Sequence, residues 1–267
     1  MDLTDLMTKA EIIRKKMGED CNSPIDILSL VQNMDNLTLV YYPMGSNISG
    51  ICIKNKDGNC TIAINSLMTL GRQRFSLAHE LYHYYFDENM VNICSKKIGT
   101  GEENERKADI FASYFLMPRT TLYEKIVSLK KDISSKLTLE DVIRIEQYFK
   151  VSHQTALYQL LNCRFITKRE FELYMNIKVR REAELLGFNS DLYKPTSEDK
   201  QYCTYGKYLN LAKQMLDKEL ISNGKYEELL LDAFRSDLVY GLEEGGDVID
   251  WTIIFWYRLY LSVSVGW

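Results

Sequence analysis

The stretch of sequence that decides the fold is residues 74–86, RFSLAHELYHYYF, which contains the motif His79-Glu80-Leu81-Tyr82-His83. Residues four apart lie one above the other on a helix, so the two imidazoles can bind one metal ion. Glu80 lies beside them, close enough to accept a proton from water at the metal but poorly aimed to be a ligand. The chain has 3 histidines and two of them are in this motif, which argues against a chance occurrence. The motif therefore predicts a metal-binding helix over residues 70–87.

A second predicted helix supplies the acidic residues of the site. Thr100 and Glu103 fit a capping box at its start, and Pro118 ends it. A zinc site in an enzyme needs a third protein ligand and keeps its fourth position for water, and Glu105 is the candidate ligand. Asp109, one turn later, can accept a hydrogen bond from a ligand histidine. The predicted site is one Zn²⁺ ion per chain bound by His79, His83 and Glu105, with Glu80 as the catalytic base. Asp109 is predicted to accept a hydrogen bond from one of the ligand histidines.

The segments in front of the motif predict two helices and a small sheet. The second helix spans residues 24–34, with Ser23 as its N-cap. Residues 48–65 read as a hairpin, because two apolar runs flank the tight-turn pair Asp57-Gly58. The other two predicted elements are a helix over residues 4–17 and a strand over residues 37–44.

The part of the chain behind the site is predicted to be mainly helical. Residues 138–163 contain two or three short helices, and the pattern from Thr167 onward is helical and charged. Loops are expected near residues 187–198 and around Asn223-Gly224. The tail at residues 251–267 holds all 3 tryptophans. It is interpreted as a buried closing segment, a partner-binding patch or an added sequence, and the pattern does not decide among these.

Composition narrows the class of protein. A net charge of −4 and a pI near 5.6 argue against broad electrostatic binding of nucleic acid. The N-terminus lacks the apolar segment of a signal peptide, and no stretch is long and apolar enough to span a membrane. The 6 cysteines are scattered and are interpreted as reduced, mostly buried thiols. We therefore expect a cytoplasmic protein without a membrane span. His153 follows a turn like that of a helix-turn-helix unit, but packing is the preferred interpretation over DNA contact, and no metal ligation is expected.

Two segments together resemble a known family. NERKAD at residues 104–109 resembles the N-E-x-x-[SA]-D segment of gluzincins, metallopeptidases with two His and one Glu on zinc. RFSLAHELYHYYF followed by ERKADIFASYFLMP resembles the ImmA/IrrE family of metallopeptidases, over residues 24–119 and more weakly through FKVSHQTALYQLL. The resemblance implies zinc on His79, His83 and Glu105, with Glu80 catalytic. Such proteins often sit on mobile elements and cleave or inactivate a helix-turn-helix repressor, so it also implies a DNA-binding repressor as the protein substrate.

The predicted fold class is α+β: a small, mostly antiparallel sheet packed on zincin-type active-site helices, followed by a mainly helical C-terminal region. We divide the chain into a zinc metallopeptidase domain at residues 1–128, a helix-turn-helix-like segment at 129–165 and a helical region at 166–267. An extended substrate could pair with a hairpin strand at residues 51–54 or 61–64, although core strands fit that pattern better.

Two functions compete. The first is a zinc endopeptidase that cleaves a repressor of a mobile element or stress pathway. The second is a non-catalytic zinc-containing module that acts through its helical C-terminal half. A closed structural zinc site needs a fourth protein ligand, and the sequence places no cysteine or further histidine to supply one, which favours the enzyme.

Overall fold

A computed structural model describes residues 3–88, 91–95, 98, 103–130 and 135–241. Within these residues one sheet has five strands in the order β4-β2-β3-β1-β5. The strands are β1 (Leu37–Tyr42), β2 (Ile48–Lys54), β3 (Cys60–Asn65), β4 (Val91–Ser95) and β5 (Cys203–Gly206). β1 and β3 pair in parallel, whereas β2 pairs antiparallel with both β3 and β4, and β5 pairs antiparallel with β1. The prediction of a small, mostly antiparallel sheet is confirmed.

Helices cover the sheet and form most of the C-terminal region, as predicted for this α+β fold. The helices up to the end of the predicted helix-turn-helix-like segment are α1 (Leu3–Lys16), α2 (Ile27–Gln32), α3 (Leu70–Phe86), α4 (Glu103–Leu116), α5 (Arg119–Leu129), α6 (Leu139–Phe149) and α7 (His153–Asn162). Those that follow are α8 (Lys168–Met175), α9 (Val179–Leu185), α10 (Lys207–Asp217), α11 (Asn223–Asp232) and α12 (Ser236–Tyr240). The three-part division of the chain remains a prediction.

The central helix α3 is buried on nearly every side. It lies against β2 and β3, and α4 packs along it. Apolar residues of both helices, including Phe75, Leu81 and Phe111, are almost completely excluded from solvent. A helix that is buried all round belongs to a core, and here its polar motif is therefore carried into the interior. At its first turn α3 approaches the α6–α7 connection so closely that a Cβ atom on Gly71 would lie 2.7 Å from the backbone nitrogen of Ser152.

The predicted start of the second helix is wrong. α2 begins at Ile27, and Ser23 does not cap it. The backbone N–H and the hydroxyl of Ser23 instead donate to the Asp20 carboxylate, at 2.5 and 2.6 Å. Arg74 also donates to the backbone carbonyl of Ile25, at 2.5 Å. These contacts hold the residues before α2 outside the helix, because their polar groups already have other partners.

The C-terminal region differs from the prediction in two places. Asn223-Gly224 opens α11 instead of forming a loop, because the Ser222 side chain accepts a hydrogen bond from the backbone N–H of Lys225 and caps that helix. β5 is a strand that the helical pattern did not predict. The proposed cap at Thr100 and the tail at residues 251–267 lie outside the described residues. Within the described part of the chain, no helix is both long and apolar enough to cross a membrane.

Candidate metal centre

Three side chains from two helices converge at the middle of α3. His79 and His83 lie one turn apart on α3, and their Nε2 atoms are 3.2 Å from each other. Glu105, in the first turn of α4, places Oε2 at 3.3 Å from Nε2 of His79 and Oε1 at 3.3 Å from Nε2 of His83. The structure thus brings together the three residues that the sequence predicted as ligands.

The spacing of these donor atoms is a test of whether a metal ion fits. A tetrahedral zinc site with metal–ligand distances of about 2.0–2.1 Å has neighbouring donor atoms about 3.3–3.4 Å apart. The observed separations of 3.2, 3.3 and 3.3 Å match that edge length. The cluster is therefore compatible with one small, tetrahedrally coordinated metal ion.

Each histidine of the pair has a carboxylate behind it. Nδ1 of His79 lies 2.9 Å from Oδ1 of Asp109, and Nδ1 of His83 lies 3.0 Å from Oδ2 of Asp87. An N–H at Nδ1 that donates to a carboxylate leaves the lone pair of Nε2 directed at the cluster and makes it more basic. Asn104 donates to Asp87 as well, at 2.7 Å, and so fixes that carboxylate. Asp87 is not among the predicted site residues, although its position four residues after His83, directly behind the end of α3, is a signal that could have found it.

Charge in the cluster favours a cation. Burial lowers the pKa of His79, but hydrogen bonds to Asp109 and Glu105 outweigh that effect and raise the pKa to about 9. Burial raises the pKa of Glu105, but its contacts with His79 and His83 outweigh burial and hold the pKa well below the usual range. Glu105 is therefore ionised near neutral pH. A buried group of carboxylates and imidazoles of this kind attracts a cation, whether protons or a metal ion.

Glu80 is more completely buried than the three clustered donor side chains and lies beside Gly50 of β2. It is 0% exposed, and burial raises the pKa of its carboxyl, an effect that the imidazoles of His79 and His83 offset only in part. Both carboxylate oxygens are buried without a direct hydrogen bond of good geometry, although the Cys94 thiol lies close beside them. Buried carboxylates normally have hydrogen-bond partners, so this one has capacity for a proton or a water molecule.

Residues 38–161 match the family model Peptidase_M78, described as the IrrE N-terminal-like domain. This segment belongs to the Peptidase_M78 family. The match confirms the resemblance to ImmA/IrrE metallopeptidases and spans the whole His79, His83 and Glu105 cluster. No curated protein matches the chain. The family assignment supports a metallopeptidase in general and implies a protein substrate.

The M78 domain contains a fourth donor that the sequence analysis did not place. One ligand atom from each of four residues, including the thiol of Cys94, lies within 4.8 Å of every other. Cys94 is on β4, directly opposite Gly50 of β2 in the sheet. The statement that no cysteine stands near the site is therefore wrong. The pairing of β4 with β2 brings Cys94 to the clustered donors, and no short-range spacing in the sequence reveals this pairing. All 6 cysteines of the chain are free.

His153, at the first position of α7, is not one of the clustered donors. Its Nδ1 atom is 2.6 Å from Oε1 of Glu146, and its Nε2 atom is 3.0 Å from the backbone carbonyl of Tyr174. Tyr193 donates to the second oxygen of Glu146, at 2.8 Å. Both ring nitrogens are therefore engaged in joining α6, α7 and α8, which is the packing role preferred from the sequence.

Proposed function

We propose that this chain is a zinc-dependent endopeptidase that binds zinc through His79, His83 and Glu105. The observation that carries the proposal is the convergence of these three donors beside a buried carboxylate, Glu80, that is not one of them. Two imidazoles and one carboxylate suit zinc, whereas magnesium and calcium prefer oxygen ligands alone. The family match at residues 38–161 supports the same class of activity.

Glu80 is the general base of this proposal. Zinc, when bound, supplies Lewis-acid chemistry: it polarises a peptide carbonyl and makes water acidic enough to lose a proton near neutral pH. Glu80 accepts that proton and later delivers it to the leaving amine. The raised pKa of its buried carboxyl suits both steps, because a base works best when its pKa approaches the working pH.

Asp109 and Asp87 have a positioning role. Each carboxylate holds the Nδ1 proton of one ligand histidine, so each imidazole presents Nε2 to the metal and cannot rotate away. Because these contacts occupy Asp109 and Asp87, Glu80 is the carboxylate beside the clustered donors that remains available for proton transfer.

The substrate that we propose is a helix-turn-helix repressor of a mobile element or stress pathway, cut in the cytoplasm. The support is the family's usual role. The alternative is a non-catalytic zinc-containing module that acts through its helical C-terminal half. Cys94 favours this alternative, because it supplies the fourth protein donor that a closed structural zinc site needs.

Glu80→Gln separates the two functions. Glutamine keeps the shape of Glu80 but cannot accept a proton, so zinc content should stay at one per chain while cleavage falls by roughly 10²–10⁴-fold. New protein N-termini in cells that express each variant are measured by mass spectrometry, with zinc content measured in parallel. The matched control is Glu103→Gln, because Glu103 is exposed at the start of α4 and forms a salt bridge with Lys107.

New N-termini should appear with the wild type and the control and should be absent with Glu80→Gln. If Glu80→Gln retains the full cellular effect of the wild type at equal zinc content, the hydrolytic mechanism is wrong and the binding module is supported. A wild-type protein that takes up no zinc would contradict both functions.

A further inference from the structure

The group of clustered donors, His79, His83, Cys94 and Glu105, contains one donor more than a hydrolytic zinc site needs. A catalytic zinc ion keeps its fourth position for water or substrate, whereas closed sites fill it with a protein ligand. The thiol of Cys94 lies within 4.8 Å of the donor atoms of His79, His83 and Glu105, and its residue is 1% exposed. Thiolates are strong zinc ligands, so the thiol competes with water for the fourth position. Glu80, the group that would act on that water, faces the same thiol.

The strand that carries Cys94 also forms an edge of the sheet beside the clustered donors. β4 pairs antiparallel with β2, with Val91 opposite Ile53 and Cys94 opposite Gly50. β2 lies on α3, next to Glu80. Peptides often bind by adding a strand to an open sheet edge. Substrate pairing with residues 51–54 or 61–64 is the less favoured interpretation from the sequence, and it is not possible in this arrangement. β3 and β4 occupy the two sides of β2, and β2 and β1 occupy the two sides of β3.

β4 is attached mainly by its backbone. Its outward side chains Val91 and Ile93 are 56% and 63% exposed, whereas Cys94 faces inward. An edge strand with two large apolar side chains in solvent contributes little apolar burial, and segments of that kind open at lower free energy than core strands. Cys94 is the most buried of the described side chains of β4, so a bond to its sulfur would hold this strand more firmly.

We propose that Cys94 is the fourth ligand of the resting metal centre and that β4 occupies the place of the substrate strand. This inference rests on the proposed zinc peptidase function. When the metal binds, the Cys94 thiol releases its proton to solvent and its sulfur joins the three other donors. When an extended substrate displaces β4, the thiolate takes up a proton from solvent and leaves the fourth position open to water. The resting enzyme is closed, and the substrate that replaces β4 opens it.

Cobalt substitution reports the sulfur ligand directly, without any substrate. Co²⁺ bound through a thiolate has a sulfur-to-metal charge-transfer band in the near ultraviolet. That band should be present in the wild type, absent in Cys94→Ala and Cys94→Ser, and retained in the control Cys52→Ala. Cys52 is a matched control because it is a buried thiol on the neighbouring strand that contacts Cys60 and is not among the clustered donors.

Access to the fourth position is tested with acetohydroxamate, a small ligand of open zinc and cobalt sites. It should bind Co²⁺-loaded Cys94→Ala at least about tenfold more tightly than the wild type, a difference of about 1.4 kcal/mol. Amide hydrogen exchange gives a second measure. Zinc should slow exchange at residues 91–94 in the wild type and in Cys52→Ala, but not in Cys94→Ala.

The possible results separate failure of this inference from failure of the proposed function. Wild-type protein that binds one Co²⁺ without the sulfur band overturns the role of Cys94 and leaves the peptidase intact. Equal affinity of the wild type and Cys94→Ala for acetohydroxamate also overturns the role of Cys94 and leaves the peptidase proposal intact. Wild-type protein that binds no metal overturns the peptidase proposal itself. If Cys94→Ala fails to fold, the wild-type spectrum and the nearly isosteric Cys94→Ser still decide the question.

Discussion

Gly50 and Glu80 meet where β2 crosses α3, and a Cβ atom at position 50 would lie 2.5 Å from Oε1 of Glu80. That separation is too short for two non-bonded atoms, so any side chain at position 50 displaces the carboxylate. Glu80 is completely buried, and its Cδ and Cγ atoms would also lie only 3.1 Å from the added Cβ atom, so rotation of the carboxylate alone does not relieve the contact. Glu80, the proposed base, can therefore occupy its observed position only because residue 50 of β2 has no side chain.

Gly50→Ala should keep zinc and lose activity. The three proposed ligands do not contact Gly50, so zinc content should be unchanged, whereas displacement of Glu80 should lower kcat by up to about 10²-fold. Zinc analysis and steady-state kinetics on the wild type, Gly50→Ala and Gly45→Ala test this. Gly45 is the control, because a Cβ atom there meets nothing within 4 Å. An unchanged kcat in Gly50→Ala would show that Glu80 can shift without consequence.

Asp109→Ala and Asp87→Ala should each weaken zinc binding by roughly 10–100-fold, because each removes the acceptor that fixes one ligand imidazole. The affinity is measured by competition with a chelator of known strength. Asp35→Ala, at an exposed position before β1, is the control. Wild-type zinc affinity in either variant would mean that the corresponding carboxylate does not support its histidine.

Zinc binding should release roughly one proton from His79 near pH 7, because metal binding requires a neutral imidazole and the pKa of His79 in the metal-free protein is about 9. Apparent affinity should thus rise about tenfold per pH unit up to about pH 9 and then level off. Glu105 adds no proton, since its pKa is lowered. Calorimetry in buffers of different ionisation enthalpy measures the release. The Cys94→Ala protein is used, so that the thiol adds no proton of its own. Affinity that stays constant between pH 7 and pH 9 would contradict the expectation.

Gly71→Ala should destabilise the fold without changing the donor set. The added Cβ would lie 2.7 Å from the backbone nitrogen of Ser152, and backbone atoms cannot rotate away as a side chain does. We expect a loss of about 1–3 kcal/mol in the free energy of unfolding, as for other overpacked sites. Urea denaturation measures it, with Gly224→Ala as the control, because position 224 is open. Equal stability of Gly71→Ala and the wild type would show that α3 and the α6–α7 connection can separate at little cost.

Features that depend on short-range spacing could be predicted from the sequence. The four-residue period of a helix places His79 above His83 and Asp109 one turn after Glu105, so the motif and the second helix indicated these neighbours correctly. The hairpin of β2 and β3 follows from the turn residues between two apolar runs, and Gly58 there has the positive φ that such a turn requires.

Features that depend on distant partners could not be predicted in this way. Cys94 reaches the cluster through the pairing of β4 with β2, and the need for Gly50 comes from a strand packed on a helix. β5 has only four residues and becomes a strand because β1 offers it a partner. Ser23 has the residue type of an N-cap, but nearby Asp20 binds it instead. In each case a tertiary or competing local contact overrides the local pattern.

β5 pairs with β1, and α1 packs on α4; both contacts determine how a shortened fragment would behave. A fragment cut to the matched residues 38–161 would lose β5 and leave β1 as an open edge, a template for association with other chains. It would also lose the buried Arg14, which donates to the backbone carbonyl of Phe115 at 2.6 Å. The cooperative folding unit is therefore longer than the segment that matches the family model, and the sequences that flank this segment protect it against aggregation.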